Sequence, residues 1–135
     1  MKLNDRQIKE IAELLDSGMT CFYHRPTGKI DYHPDINDPY FDPEPWQDTM
    51  NKIKSDRDNY ERFVKMESYE GFRVMENFAH SLSDEDFKIK LLNALSKRKP
   101  FQNFKDLIDR SDCRQDWFDF KYRAYINYVK QQIEI

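Results

Sequence analysis

Residues Met19 to Pro34 read MTCFYHRPTGKIDYHP, and this stretch decides the fold class. Thr20–His24 and Lys29–His33 are rich in aromatic and β-favouring residues. Between them stands Arg25-Pro26-Thr27-Gly28, in which Pro presets its own dihedral and Gly accepts a positive φ. The pattern predicts a β-hairpin. Cys21, Tyr23, Ile30 and Tyr32 are expected on one face and Phe22 on the other.

Helical patterns flank the hairpin. Upstream, Ile8, Ile11, Ala12 and Leu15 fall at i, i+3, i+4 and i+7, behind Asn4 or Asp5 as cap, and Gly18 is the left-handed stop. Downstream, Pro34, Pro39, Pro43 and Pro45 fall within twelve residues among Asp35, Asp38, Asp42 and Glu44. Such proline density forbids regular structure and predicts an acidic surface loop. The loop should end in a helix capped by Asp42 with Pro43 first, carrying Trp46, Met50 and Ile53 on its apolar side. After a polar break, Tyr60–Glu67 reads as a short third strand centred on Phe63 and Val64.

From Ser68 the chain reads as helices. Ser68 is expected to cap the first, with a stripe of Phe72, Met75, Ala79 and Leu82. Ser83-Asp84-Glu85-Asp86 opens the next, with Phe87, Leu91, Ala94 and Leu95 inward and Lys97, Arg98 and Lys99 in its last turn, where cations favour the exposed carbonyls. Pro100 starts a third, on which Phe101, Phe104, Leu107 and Ile108 share a face. Ser111 or Asp112 caps the last, anchored by Trp117, Phe118, Tyr122, Tyr125, Val129 and Ile133. The fold class is therefore α+β: an N-terminal helix, a β-hairpin with a third short strand, then a C-terminal bundle of about four helices. A length of 135 residues is expected to make a single domain, 1–135.

Composition narrows the function classes. Mean hydropathy is −0.97, yet 15% of the residues are aromatic, which disordered chains lack. Net charge is −3, but residues 1–60 carry eight Lys/Arg against twelve Asp/Glu, whereas Phe87–Lys105 holds Lys88, Lys90, Lys97, Arg98, Lys99 and Lys105 and no acid. Those six form a candidate basic binding face, with solvated helix surface as the simpler explanation. The N-terminus MKLNDRQIKEIAELL has no secretory apolar region, and no apolar run has spanning length. The two cysteines have no metal spacing. A cytoplasmic protein without membrane contact is the expectation.

At Lys99-Pro100-Phe101-x-x-Phe104-Lys105 and Trp117-Phe118-x-Phe120 the chain resembles a UPF-series family of small uncharacterised bacterial proteins. The resemblance implies an N-terminal helix, a hairpin and then helices. Its late motif is matched by Phe101, Phe104, Lys105, Trp117, Phe118 and Phe120. The pieces IAELLDSG, CFYHRPTGKI, VKMESYEGFRVMENFA and LLNAL also fit, so the resemblance covers nearly the whole chain. The loop Asp35–Pro45 lies outside that pattern. The resemblance implies no activity, cofactor or catalytic residue. Physically, the motif reads as a core clasp in which Phe101 and Phe104 grip Trp117 and Phe118.

Chemical motifs are sparse. His24, Asp31, His33, Asp35 and Asp38 cluster around the hairpin and acidic loop, with His33 and Asp35 as metal candidates for a metal-assisted hydrolase. No catalytic residue is assigned and no cofactor is expected. There is no GxSxG or HExxH, and three glycines, Gly18, Gly28 and Gly71, build no phosphate loop. The leading expectation is a non-enzymatic interaction or regulatory module with a charged protein partner, self-association included. The alternative is a nucleic-acid-associated protein using the basic residues, against which stands a pI near 5.6.

Overall fold

The computed structural model describes residues 2–133. They form two compact units, one of residues 2–65 with 125–133 and one of residues 66–124.

The first unit opens with helix α1, Asp5–Asp16. Asn4 is its cap: Oδ1 accepts from the Gln7 N–H at 2.8 Å, and Gln7 Oε1 accepts from the Asn4 N–H at 2.9 Å. This reciprocal box satisfies two donors that a helix start leaves without partners. Ile8, Ile11, Ala12 and Leu15 are buried, as their spacing predicts. Strands β1, Met19–His24, and β2, Ile30–Pro34, make the expected antiparallel hairpin, and Gly28 sits at φ +74° in its turn. Strand β3, Tyr60–Phe63, pairs antiparallel with β1, so the sheet order is β2-β1-β3 with β1 central.

The register assigns the two faces of the sheet. Cys21 pairs with Tyr32 and with Phe63, Tyr23 with Ile30. This face is the buried one at Cys21, Tyr23 and Phe63, and α1 packs against β1 and β2. Tyr32, on an edge strand, is exposed and meets Trp46 at 6.1 Å between ring centroids. Tyr125 and Val129 of helix α6, Arg114–Ile133, are also buried in this unit.

Two local expectations are corrected in this unit. β3 ends at Phe63 rather than Glu67. Val64 instead exchanges both backbone groups with the Gln132 side chain, at 3.4 and 3.3 Å, which removes them from strand pairing. The helix after the acidic loop does not start at Pro43. A 3-10 turn over Glu44–Trp46 comes first, with Asp42 accepting from the Glu44 N–H at 3.1 Å, and helix α2 is Gln47–Ser55. Pro45 disfavours the α conformation at Glu44, the residue before it, which works against an α-helix running from Pro43.

The second unit holds α3, Ser68–Ser81; α4, Glu85–Leu95; α5, Pro100–Asp109; and the first part of α6. The α3 cap is Glu67 rather than Ser68, and its N–H donates to Glu70 Oε1 at 3.1 Å. Asp84 caps α4 by accepting from the Phe87 N–H at 3.1 Å. α6 begins at Arg114, beyond both expected caps; Ser111 Oγ instead accepts from the Cys113 N–H at 3.1 Å within the preceding turn. The core of this unit is Phe78, Ala79, Leu91, Leu95, Phe104, Ile108 and Trp117.

The aromatic clasp is real in part. Phe104 and Trp117 meet edge-to-face at 4.9 Å, but Phe78 and Phe120 complete the cluster, with Phe78 5.3 Å from Trp117 and 5.4 Å from Phe120. Phe118 is 45% exposed and lies under the Arg114 guanidinium, and Phe101 is exposed beside Phe72. Phe118 follows Trp117 directly, so a helix turns it about 100° away from the side that Trp117 buries.

Among the described residues no helix is long and apolar enough to cross a membrane.

Candidate functional site

The face of the sheet opposite α1 is the one that carries chemistry. Thr20 pairs with His33, Phe22 with Asp31 and Arg62, and His24 with Tyr60, so all seven side chains share this face. α2 contacts the sheet at β2. Between them lies a cleft of about 780 Å³. Its sheet wall is Thr20, Phe22, His33, Tyr60 and Arg62; its helix wall is Gln47, Met50, Asn51, Ile53 and Lys54; Asp35, Ile36, Asn37 and Arg57 border it. That size suits a small organic ligand.

The lining is cationic. Lys54, Arg57 and Arg62 face a single carboxylate, Asp35. Asp35 is already engaged: the Asn37 N–H donates to it at 2.9 Å and Lys65 lies 3.5 Å away. The Asn37 hydrogen bond first, then the Lys65 charge, hold its carboxyl below the ordinary aspartate value. Neighbouring cations have carboxylate partners, Arg25 with Glu61 at 2.6 Å and Lys52 with Asp31 at 3.3 Å. Among the described residues Lys54, Arg57 and Arg62 have no carboxylate within 4.0 Å. Lys54 stands in the last turn of α2, where the dipole favours a cation. Arg57 follows two residues past the end of that helix, and the Arg62 charge acts on Asp35 at longer range than an ion pair.

His33 is 8% exposed, with its ring 5.0 Å from Phe22 and 6.4 Å from Phe41. Its Nδ1 lies 2.7 Å from the Pro34 carbonyl oxygen. A carbonyl only accepts, so Nδ1 carries the proton and Nε2 is the nitrogen left to a ligand. On the sheet wall of the cleft, Tyr60 donates its hydroxyl to Asp31 at 2.7 Å, and burial first and this bond second push its pKa up to about 12. His24 bridges Thr27 and Asp56 at 2.7 Å each. The bond to His24, followed by one from Asn59, holds the Asp56 carboxyl below its ordinary range.

The hairpin set expected from sequence therefore separates. His33 and Asp35 reach the cleft, Asp31 and His24 serve the Tyr60 and Asp56 contacts, and Asp38 accepts the Tyr40 N–H at 2.9 Å within the loop. Among the described residues no three His, Cys, Asp or Glu side chains come together to hold a metal ion.

The six basic residues of the candidate face are dispersed. Lys88 is half-buried and lies 3.8 Å from Glu85, while Lys90 is exposed. Two residues apart on α4, they point about 200° from one another, so they share no helix face. Lys97, Arg98 and Lys99 are not in the last turn of α4, which ends at Leu95; they form the turn to α5, with Lys99 left-handed at φ 53°. Asn103 pins that turn by donating to the Arg98 carbonyl at 2.8 Å. Lys105 is exposed on α5. The charges therefore begin just past the helix end rather than in its last turn; the exposed carbonyls still favour a cation at Lys97.

The cleft itself was missed by sequence reasoning. The available signal was the alternation that set Phe22 against Cys21 and Tyr23, extended to Arg62 through a third strand.

Fold and cleft together define an α+β chain with a cation-lined cleft between a three-stranded sheet and a short helix. The chain belongs to the uncharacterised protein family UPF0158, whose model matches residues 1–131. No curated protein and no solved structure matches it.

Proposed function

We propose that the protein is a small non-enzymatic interaction or regulatory module that recognises an anionic group through the cleft of its first unit. One observation carries this reading: Lys54, Arg57 and Arg62 line the cleft with no carboxylate in ion-pair contact, against one carboxylate, Asp35, which Asn37 and Lys65 hold and on which the Arg62 charge also acts. Guanidinium groups suit phosphate or carboxylate, which they bind through paired N–H donors. The anion belongs to a small ligand or to a side chain of a partner protein.

Thermal denaturation with added phosphate, sulfate and citrate at low ionic strength tests the idea. A ligand that binds only the folded state raises the midpoint with its concentration. The expected outcome is stabilisation of the natural chain and none of an Arg57→Glu/Arg62→Glu variant. Equal behaviour of the two chains would remove the cleft from the reading.

A nucleic-acid reading is favoured by a different observation. Lys90, Lys97, Arg98, Lys99 and Lys105 are exposed, and Phe101 is exposed on the same helix as Lys105. Titration with RNA and DNA at two salt concentrations distinguishes it, because phosphate-driven binding weakens steeply with salt.

A further inference from the structure

We infer that the cleft takes a phosphorylated compound bearing a flat nitrogen heterocycle, of which a nucleoside 5′-monophosphate is the simplest probe. The inference rests on the cleft being an anion site, and it adds what the rest of the lining recognises.

A bare anion needs only the cations, yet most of the lining is something else. Phe22 and His33 present adjacent rings on the sheet wall, and Met50 and Ile53 stand on the helix wall. A flat ring fits between such walls, since aromatic and apolar side chains stack on a π-face with little regard to which base carries it. A volume of about 780 Å³ is also far larger than inorganic phosphate requires.

Two neutral amides mark where the edge of such a ring would be read. Gln47 Nε2 donates to Asn51 Oδ1 at 3.1 Å. That bond leaves Gln47 Oε1 to accept and Asn51 Nδ2 to donate. One acceptor beside one donor, here on two side chains, complements the donor and acceptor groups that a nucleobase edge presents. Arg57 and Arg62 then hold the phosphate, with Lys54 adding charge. None of the three glycines lines the cleft, so this site holds its phosphate by side chains rather than by a glycine-rich loop.

Calorimetric titration of the full chain with inorganic phosphate, ribose 5-phosphate, adenosine, AMP and UMP tests the inference. AMP or UMP is expected to bind about tenfold more tightly than ribose 5-phosphate, the size of margin that base stacking supplies. Phe22→Leu should erase that margin while leaving ribose 5-phosphate affinity in place. Asn51→Ala, at an exposed position, should shrink it by a few-fold and serves if the Phe22 variant fails to fold. Nucleotides binding no better than ribose 5-phosphate would overturn the heterocycle and leave the anion site standing. Absence of binding by every phosphate-bearing probe would overturn both, and adenosine binding as tightly as AMP would overturn the anion site and with it the phosphorylated ligand.

Discussion

The core of the second unit and the cleft of the first use similar side chains to opposite ends. In the core, Phe78, Phe104 and Trp117 contact one another edge-to-face, and Phe104 is wholly inaccessible. In the cleft, Phe22 and His33 also meet ring to ring, but one side of the pair borders open space lined by arginines. Aromatic rings at regular spacing thus identify a buried face only where a partner element covers it. The proximity of cations to rings is no guide either. Arg114 over the exposed Phe118 is a surface contact, whereas Arg62 beside Phe22 on the sheet lines a cavity.

The largest test of this contrast is Phe104→Ala. Removing a fully buried ring should cost about 3–5 kcal/mol in urea denaturation. Phe22→Leu should cost less than about 1.5 kcal/mol, because an apolar side chain of similar size replaces a half-buried one. Equal losses would break the distinction between closed core and open cleft.

The closed face of the sheet and the helical second unit should differ next in thiol chemistry. Cys21 is fully buried on the closed face, and burial first, with the Glu10 charge second, pushes its pKa up to about 12. Cys113 is only half-buried. A thiol reagent at neutral pH should modify Cys113 first and reach Cys21 only under denaturing conditions. Prompt modification of Cys21 in the folded chain would contradict a closed face.

A smaller effect belongs to the turn that carries the basic run. Lys99 is left-handed at φ 53°, a conformation costly to side chains with a Cβ. Lys99→Gly should stabilise the chain by about 0.5–1 kcal/mol in the same denaturation assay.

The smallest concerns Asp56 at the end of the sheet. Its folded pKa is depressed by the His24 bond, so the carboxylate contributes stability above the ordinary carboxylate range and loses it as pH falls through the depressed value. An NMR titration should place the Asp56 midpoint below that of an ordinary aspartate, and His24→Ala should move it back up.

Much of this fold was legible because its causes are local. The helix start at Asn4 or Asp5, the Pro26–Gly28 turn, the proline-rich loop and the helix opening within Ser83–Asp86 each depend on residues within a few positions of one another. Errors fell where two local candidates competed or where a distant group decided. Glu67 displaced its neighbour Ser68 as cap, and Gln132 captured the Val64 backbone and shortened β3. Phe78 lay outside the expected stripe of α3 because which side of that helix is covered depends on where Phe104 and Trp117 stand. The cleft was least legible, since its lining comes from separate segments between Thr20 and Arg62.

The sequence by itself determined an α+β chain of helix, hairpin and helices, because helical periodicity, strand alternation and turn chemistry act over short distances. Only the tertiary structure decided which aromatics are core and which line a cavity. It also decided which cations find carboxylates, because both outcomes depend on contacts between residues tens of positions apart, and no local pattern encodes them.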